Sequence, residues 1–430
     1  MRYIGNKTKL LAEIEEVLRV RGVTGGTLID IFTGSASVAR YFKQRGFRVY
    51  ANDLLSVSYT QAVAALEVTQ PPQFAGVFHR LKAEFRSASF REAFIESLEG
   101  SYDADAVNAY LDDGRLTRAS LLPLALMVFY LNSRVEPSEG LIFRNFCPGG
   151  SCERMYFRDD HGRRIDGILD FLKTHHDSGL LGKSDLHLLL SALINAADKR
   201  ANISGTYGAY LKRWQSNTDG DLTLAIPEVS SSRTKGHRVF QEDSNDLIRK
   251  LRGDVLYIDP PYNRRQYAAN YHVLDIIALH HKIGDVEMFE QSLYGKTGLR
   301  PYGDSYSDYC IPAAGRIRRP RGMSPGRSTS NVQEAFKKLV LSANVDHIVV
   351  SYNEEGLLDR EELGAILAQF SGIKRYNFSR DFKEIQYRRF RSDRDRGGND
   401  DGPTRRYAVV EGKDKNVVGE WLFYARRGGS

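Results

Sequence analysis

The apolar run Thr-Leu-Ile-Asp-Ile-Phe-Thr at residues 27–33 lies between a Gly-Gly turn and the small residues 34–37, a pattern that predicts a buried strand. Residues 36–44 then place Val38, Tyr41 and Phe42 at helical spacing, and 47–51 resumes a strand that ends in Asn52-Asp53. This is one βαβ unit. Residues 61–134 read as largely helical, and the nearly continuous apolar stretch 121–131 predicts a helix buried all round. From 135 to 236 the chain mixes charge, aromatics and turn residues, ending in a polar stretch broken by Pro227, as expected of an inserted module. Strand character returns at 254–258 and 347–351, with a helix between them. That helix has a start signal, because Asn331 precedes Glu334 at the capping-box spacing and Phe336, Leu339, Val340 and Ala343 share a face. Two late strands, at 407–411 and 421–425, are expected to close the sheet as a hairpin.

Strands and helices in this alternation predict an α/β protein. A sheet domain formed by residues 1–60 and 237–430 would be interrupted by a largely helical region, 61–236. With 430 residues, 41% of them hydrophobic and 11% aromatic, the chain can build a substantial core, which excludes disorder and a minimal disulfide scaffold. Its three cysteines, Cys147, Cys152 and Cys310, are an odd count that implies no disulfide framework and points to a reducing compartment. No metal site is expected, since Cys147 and Cys152 lack a second close Cys or His pair. The chain begins Met-Arg-Tyr-Ile-Gly-Asn-Lys without an apolar leader, and no stretch is long enough to span a bilayer, so a cytoplasmic protein is expected. The 61 Lys and Arg exceed the 54 Asp and Glu by a modest +7. Five arginines fall between Arg316 and Arg327, and Tyr387 to Arg391 interleaves bases with aromatics, a clustering that permits a polyanionic partner.

Two places carry candidate chemistry. The turn from Gly34 to Ser37, between a strand and a helix, offers small residues where backbone can approach a ligand, and Asp53 follows at the interval where an acid meets ribose hydroxyls. A nucleoside-bearing cofactor fits this turn, although the three-glycine dinucleotide fingerprint is incomplete and a tight turn without ligand would look the same. No GxxxxGK[ST] motif is present, which disfavours a phosphate-transferring P-loop enzyme. The second place is Asp259-Pro260-Pro261-Tyr262, directly after the strand 255–258. Two prolines forbid both ladder and helix there, so a carboxylate and a ring are held on a rigid turn at the strand's C-terminal edge. An exocyclic amine needs an acceptor for its hydrogens while its lone pair attacks. Asp259 and a proline carbonyl supply acceptors, and Tyr262 supplies a stacking face.

These residues resemble the alpha-group, Dam-like DNA adenine-N6 methyltransferases, and more narrowly the FokI-type modification methylases. The resemblance runs along most of the chain. Arg2-Tyr3-Ile4-Gly5-Asn6-Lys7 is similar to the motif that closes over the methyl donor, and Asp30-Ile-Phe32-Thr-Gly34-Ser35-Ala36 to the S-adenosylmethionine loop. Asp53 matches the ribose-binding acid, and Asp243-Ser244 the contact to the cofactor adenine. Tyr130-Leu-Asn132-Ser-Arg134, Gly140 to Asn145 with Arg144, and Ser204 to Lys212 with Tyr207 resemble segments leading into target recognition. Asn263 to His272, including Arg264, Gln266, Asn270 and Tyr271, extends the catalytic motif, and Ser351-Tyr-Asn-Glu-Glu-Gly356 follows as in those enzymes. Two departures stand out: Ala36 replaces the usual second glycine, and Ser133 interrupts an Asn-Arg pairing.

The resemblance implies a Rossmann-like S-adenosylmethionine-dependent sheet with an inserted target-recognition domain. It also implies a site-specific transferase acting on an adenine flipped out of duplex DNA, with a cognate restriction endonuclease as possible companion. Expected DNA contacts are Arg134, Arg144, Asn145, Tyr207, Lys212, Arg264, Gln266, Asn270 and Tyr271, with phosphate gripped by the loop carrying Arg316, Arg318 and Arg319. Transfer from a sulfonium to nitrogen needs no covalent cysteine, and Cys147 precedes Pro148 rather than following it, so the Pro-Cys nucleophile of cytosine-C5 enzymes is absent. RNA adenine methylation and a non-catalytic DNA-binding protein with a vestigial Rossmann domain remain as alternatives. A nicotinamide dehydrogenase is disfavoured by the incomplete glycine pattern and the Pro-Pro turn.

Overall fold

A computed structural model of the chain describes residues 1–3, 5–116, 120–301, 303–313, 330–388 and 417–428. Seven strands form one sheet: β1 (Thr27–Asp30), β2 (Arg48–Asn52), β3 (Arg238–Phe240), β4 (Val255–Ile258), β5 (His347–Asn353), β6 (Phe382–Arg388) and β7 (Val417–Arg426). Their spatial order is β3-β2-β1-β4-β5-β7-β6. The first five run parallel, and β7 is antiparallel to both its neighbours, β5 and β6. From β1 the chain moves one way to β2 and, much later, the other way to β4. The two crossovers therefore diverge at the C-terminal ends of β1 and β4, which opens a crevice there.

Strict alternation along the strands gives the sheet two apolar faces. Ile29, Leu256, Ile258, Ile348 and Val350 face one layer, with the helices Val332–Ser342 and Arg360–Ser371. Leu28, Val49, Val255, Tyr257 and Val349 face the other, against α1 (Leu11–Arg19), α2 (Ser37–Gln44) and α3 (Ser56–Leu66). The expected start of the helix at 332 is observed: the Asn331 side chain accepts from the Glu334 amide at 2.9 Å, and Phe336, Leu339, Val340 and Ala343 are buried. The apolar run at 121–131 is the helix Leu122–Ser133, buried over most of its length.

A third apolar cluster lies in the helices and takes residues from Leu55 to Ile283. Helix α3 joins it to the sheet, with Ala62, Val63 and Leu66 on the sheet side and Val57 and Ala64 on the other. The expected division at 60/61 falls inside this helix, and Ala268 to Ile283, beyond 236, also pack into the helical cluster. Among the described residues no helix is long and apolar enough to cross a membrane.

The expected C-terminal hairpin is corrected in part. Residues 407–411 lie outside the described residues; 421–425 fall in β7, whose partners are β5 and β6. Strand β6 is absent from the sequence-based expectation because it is the sheet's outer strand. Its Lys383, Glu384 and Gln386 are exposed, which blunts an edge but erases the apolar alternation that announces a strand.

The turn from β1 to α2 is tightly built. Gly34 has φ +52°, and a Cβ there would come within 2.7 Å of the Tyr3 ring. Ala36 has φ +58°, the left-handed region where the more usual glycine rests without strain. Its methyl group is fully buried against the sheet, which contributes roughly 0.8 kcal/mol and offsets much of the 1–2 kcal/mol backbone penalty, so alanine is tolerated. Gly34→Ala has no such compensation. We expect it to lower unfolding free energy by about 1–3 kcal/mol, measured by urea melts. An unchanged melt would show that Tyr3 moves freely.

Candidate functional site

A cleft opens at the crevice beyond β1, β2 and β4. Each strand delivers one functional group at its C-terminal end. Phe32 follows β1, Asp53 follows β2, and Asp259 to Tyr262 follow β4; all six line the cleft, as do Tyr3, Gly5, Asp243 and Ser244. Residues separated by more than 200 positions are therefore brought together by strand register alone.

Asp53 is fixed from both sides, its Oδ2 accepting from the Gly34 amide at 2.9 Å and its Oδ1 from the Leu55 amide at 3.0 Å. Burial pushes its carboxyl up to about 6, and these two amides pull it down. Asp243 caps a short helix by accepting from the Asn245 amide at 2.9 Å, which orients Ser244 and Asn245 along the wall. Phe32 packs edge-to-face on Tyr309, with ring centroids 4.8 Å apart. Tyr3 stacks on Tyr271 at 4.7 Å and 5° between planes. Burial raises the Tyr3 phenol well above its ordinary value, so it stays neutral.

At the Asp259 turn, the Lys7 ammonium lies 3.0 Å from Asp259 Oδ1 and 3.0 Å from Glu420 Oε1. Glu420 Oε1 also accepts from the buried Ser351 hydroxyl at 2.8 Å. Burial raises the Asp259 carboxyl; Lys7 opposes that rise and Glu420 adds to it. Lys7 is depressed by burial, but the two carboxylates outweigh this and hold it firmly protonated. The Asp259 side chain is 17% exposed and lines the cleft, which leaves the carboxylate accessible as an acceptor there.

The other sequence-derived positions are distributed less simply. Asp30, Gly34, Ser35 and Ala36 support the cleft from behind: Asp30 accepts from Thr33 Oγ1 at 2.9 Å, and Ser35 lines a separate polar cavity on the far side of the turn. Among the expected DNA contacts, Arg134, Lys212 and Arg264 are exposed, while Arg144 is paired with Glu290 at 2.9 Å. Asn145, Tyr207, Asn270 and Tyr271 are corrected to interior positions, each at most 5% exposed. They pack there because their polar atoms find internal partners: Asn145 Nδ2 donates to Leu141 O and Glu290, the Tyr207 hydroxyl bonds Asp198, and the Asn270 carbonyl accepts from the Tyr207 amide. The Gln266 amide closes a two-bond clasp with the Ser307 backbone, at 2.8 and 2.9 Å. Arg316, Arg318 and Arg319 lie outside the described residues.

Sequence reasoning missed Glu420, Asn245, Tyr267 and Tyr309, all of which border the site. Glu420 left a legible trace, since it occupies the same face of β7 as the apolar Leu422 and Tyr424. An acid on the buried face of a central strand demands a partner.

Comparison with known proteins agrees with this geometry. A family model for D12 class N6 adenine-specific DNA methyltransferases matches residues 3–316. The chain belongs to that family. It is 33% identical over 394 residues to the type II methyltransferase M.FokI of Planomicrobium okeanokoites, covering 91% of this chain and 50% of that protein. It is 31% identical over 399 residues to the type II methyltransferase M.NlaIII of Neisseria lactamica, covering 92% and 93% respectively. The modification methylase StsI of Streptococcus sanguinis is 30% identical over 397 residues, covering 91% and 49%. The chain thus spans about half the length of M.FokI and StsI and nearly all of M.NlaIII.

In this D12-class chain Asp30 gives a direct reading of site electrostatics. Its Oδ1 has no hydrogen-bond partner among the described residues, and burial pushes its carboxyl up to about 7, aided by the charges of Asp259 and Asp53. A carboxyl raised on folding contributes most below its ordinary value, and that contribution is lost as pH rises through about 7. Relative to Asp30→Asn, the native chain should therefore lose stability on the order of a few kcal/mol between about pH 4 and pH 7. Urea melts of both proteins across that window check it; parallel pH curves would mean that Asp30 ionises as freely inside as outside.

Proposed function

We propose that the protein transfers a methyl group from S-adenosylmethionine to the exocyclic N6 of an adenine flipped out of duplex DNA, at a specific recognition sequence. The observation that carries this reading is the partly exposed Asp259 carboxylate, presented on a Pro-Pro turn beside Tyr262 at the mouth of a cleft lined by Phe32, Asp53 and Asp243. The sheet reads as a Rossmann-like methyltransferase core in its strand order, and the helical region 61–236 as the target-recognition part.

The cleft residues fit the cofactor. Asn245 lines the cleft with a buried Oδ1 that has no partner among the described residues, suited to an amine hydrogen of a nucleobase. Phe32 and Tyr309 offer ring surface for the same base, and Asp53 is placed to accept from ribose hydroxyls. When bound, S-adenosylmethionine supplies an electrophilic methyl group on a sulfonium.

The chain's own contribution is positioning and field. Asp259 Oδ2 accepts a hydrogen from the adenine amine and aims its lone pair, and the negative carboxylate stabilises the positive charge that develops on nitrogen. Tyr262 supplies the face on which the extruded base stacks, offsetting the few kcal/mol needed to unstack it. The exposed bases Arg134, Lys212 and Arg264 are available for phosphate, and the type II role of the relatives suggests a cognate endonuclease as companion.

Methyl-tritium transfer to duplex DNA, followed by identification of the labelled base, tests the reading; label on RNA alone or on another atom would overturn it. Asp259→Ala should lower the transfer rate by at least about 10²–10³-fold. Its fold should survive because Lys7 keeps Glu420 as partner. Binding of S-adenosylmethionine, followed by calorimetry, should change little. Undiminished turnover would remove Asp259 from the chemistry.

A further inference from the structure

The family model ends at residue 316, yet one member of the buried charge cluster comes from beyond it. Glu420 lies on β7, the antiparallel strand wedged between β5 and β6, and is 3% exposed. Its position is built from several directions. Ser351 on β5 donates to Oε1 at 2.8 Å. One residue earlier, the Gly419 amide donates to Glu354 Oε1 at 2.8 Å, and the Gly419 carbonyl accepts from the Glu354 amide at 3.0 Å. A side chain at 419 would collide with Glu354 and Glu384, so the backbone before Glu420 is held close to its neighbours.

We propose that Glu420 is a positioning residue for methyl transfer: anchored by Ser351, it holds the Lys7 ammonium against Oδ1 of Asp259 and so leaves Oδ2 directed to the substrate amine. This rests on the function proposed above. A flexible lysine with Asp259 as its sole partner would have freedom to bridge both carboxylate oxygens and mask the acceptor. With Glu420 Oε1 also 3.0 Å from its ammonium, Lys7 is shared between two carboxylates, and its contact with Asp259 is at Oδ1. Glu420 also adds a negative charge that keeps Asp259 a stronger acceptor than a simple Lys-Asp pair would allow. The cluster joins one ammonium to two carboxyl groups. The other groups that face Asp259 are Asp30 and the phenols of Tyr3, Tyr257, Tyr262 and Tyr267, whose burial keeps them neutral.

The test uses the full chain and follows kcat and KM for methyl transfer to duplex DNA as a function of pH, beside S-adenosylmethionine affinity and thermal unfolding. Glu420→Gln keeps an acceptor for Lys7 but removes the charge. The acid limb of kcat should then move down by about one pH unit or more, with cofactor affinity within about threefold of native. Ser351→Ala keeps every charge but releases the anchor, so kcat should fall severalfold with KM and the limb unmoved. This second variant also keeps the proposal testable if Glu420→Gln does not fold. A purely structural Glu420 would alter unfolding alone. Native kcat and an unmoved acid limb in folded Glu420→Gln would overturn the proposal, as would native kcat in Ser351→Ala. If the native chain itself labels no adenine, the functional reading fails instead, which separates the two outcomes.

Discussion

One ammonium group between two carboxylates organises this molecule's chemistry. Removing Lys7, Asp259 and Glu420 from water costs several kcal/mol per ion, and only close mutual pairing offsets that cost. The three groups are 3.0 Å apart in each contact and come from the N-terminal segment, the turn after β4 and the last strand. The N-terminal segment, the turn and β7 must therefore dock together before all three charges are paired. Completion of the sheet and completion of the site are the same event, which couples folding directly to function.

The cleft depends on a second constraint, the divergence of the chain on either side of β1. Parallel strands expose their C-terminal amides and carbonyls at one edge, and the crossovers leaving β1 and β4 in opposite directions keep that edge uncovered. Helix α3 then spans the gap between sheet and helical layer, its small and apolar residues buried on both faces. This packing fixes Leu55, whose amide holds Asp53, so an acid that lines the cleft is positioned by the joint between two apolar cores.

Much of this was legible in the sequence. The strand expected at 27–33 forms over Thr27–Asp30, and the helix after it, the strand before Asp53 and the Asn331 cap appear where local pattern places them, because each depends on neighbours within a few positions. The Asp259 turn was equally clear, since two consecutive prolines act through covalent geometry. The resemblance carried by those motifs agrees with the family match over residues 3–316. Tyr207 and Tyr271 show the limit: both carry polar hydroxyls typical of a nucleic-acid surface, yet one bonds Asp198 inside the helical core and the other stacks under Tyr3.

By itself, then, the sequence determined the alternation of elements, the rigid carboxylate-and-ring turn, the tight cofactor-type loop and the family. Those features are set by short-range sterics and by side-chain periodicity. Tertiary structure alone decided that Glu420 meets Lys7, that Gln266 clasps Ser307 rather than facing solvent, and that Lys7 lies against Asp259. Those outcomes depend on which strand edges and loop ends come into register across hundreds of residues. A buried charge takes its partner from that register, wherever in the chain the partner lies.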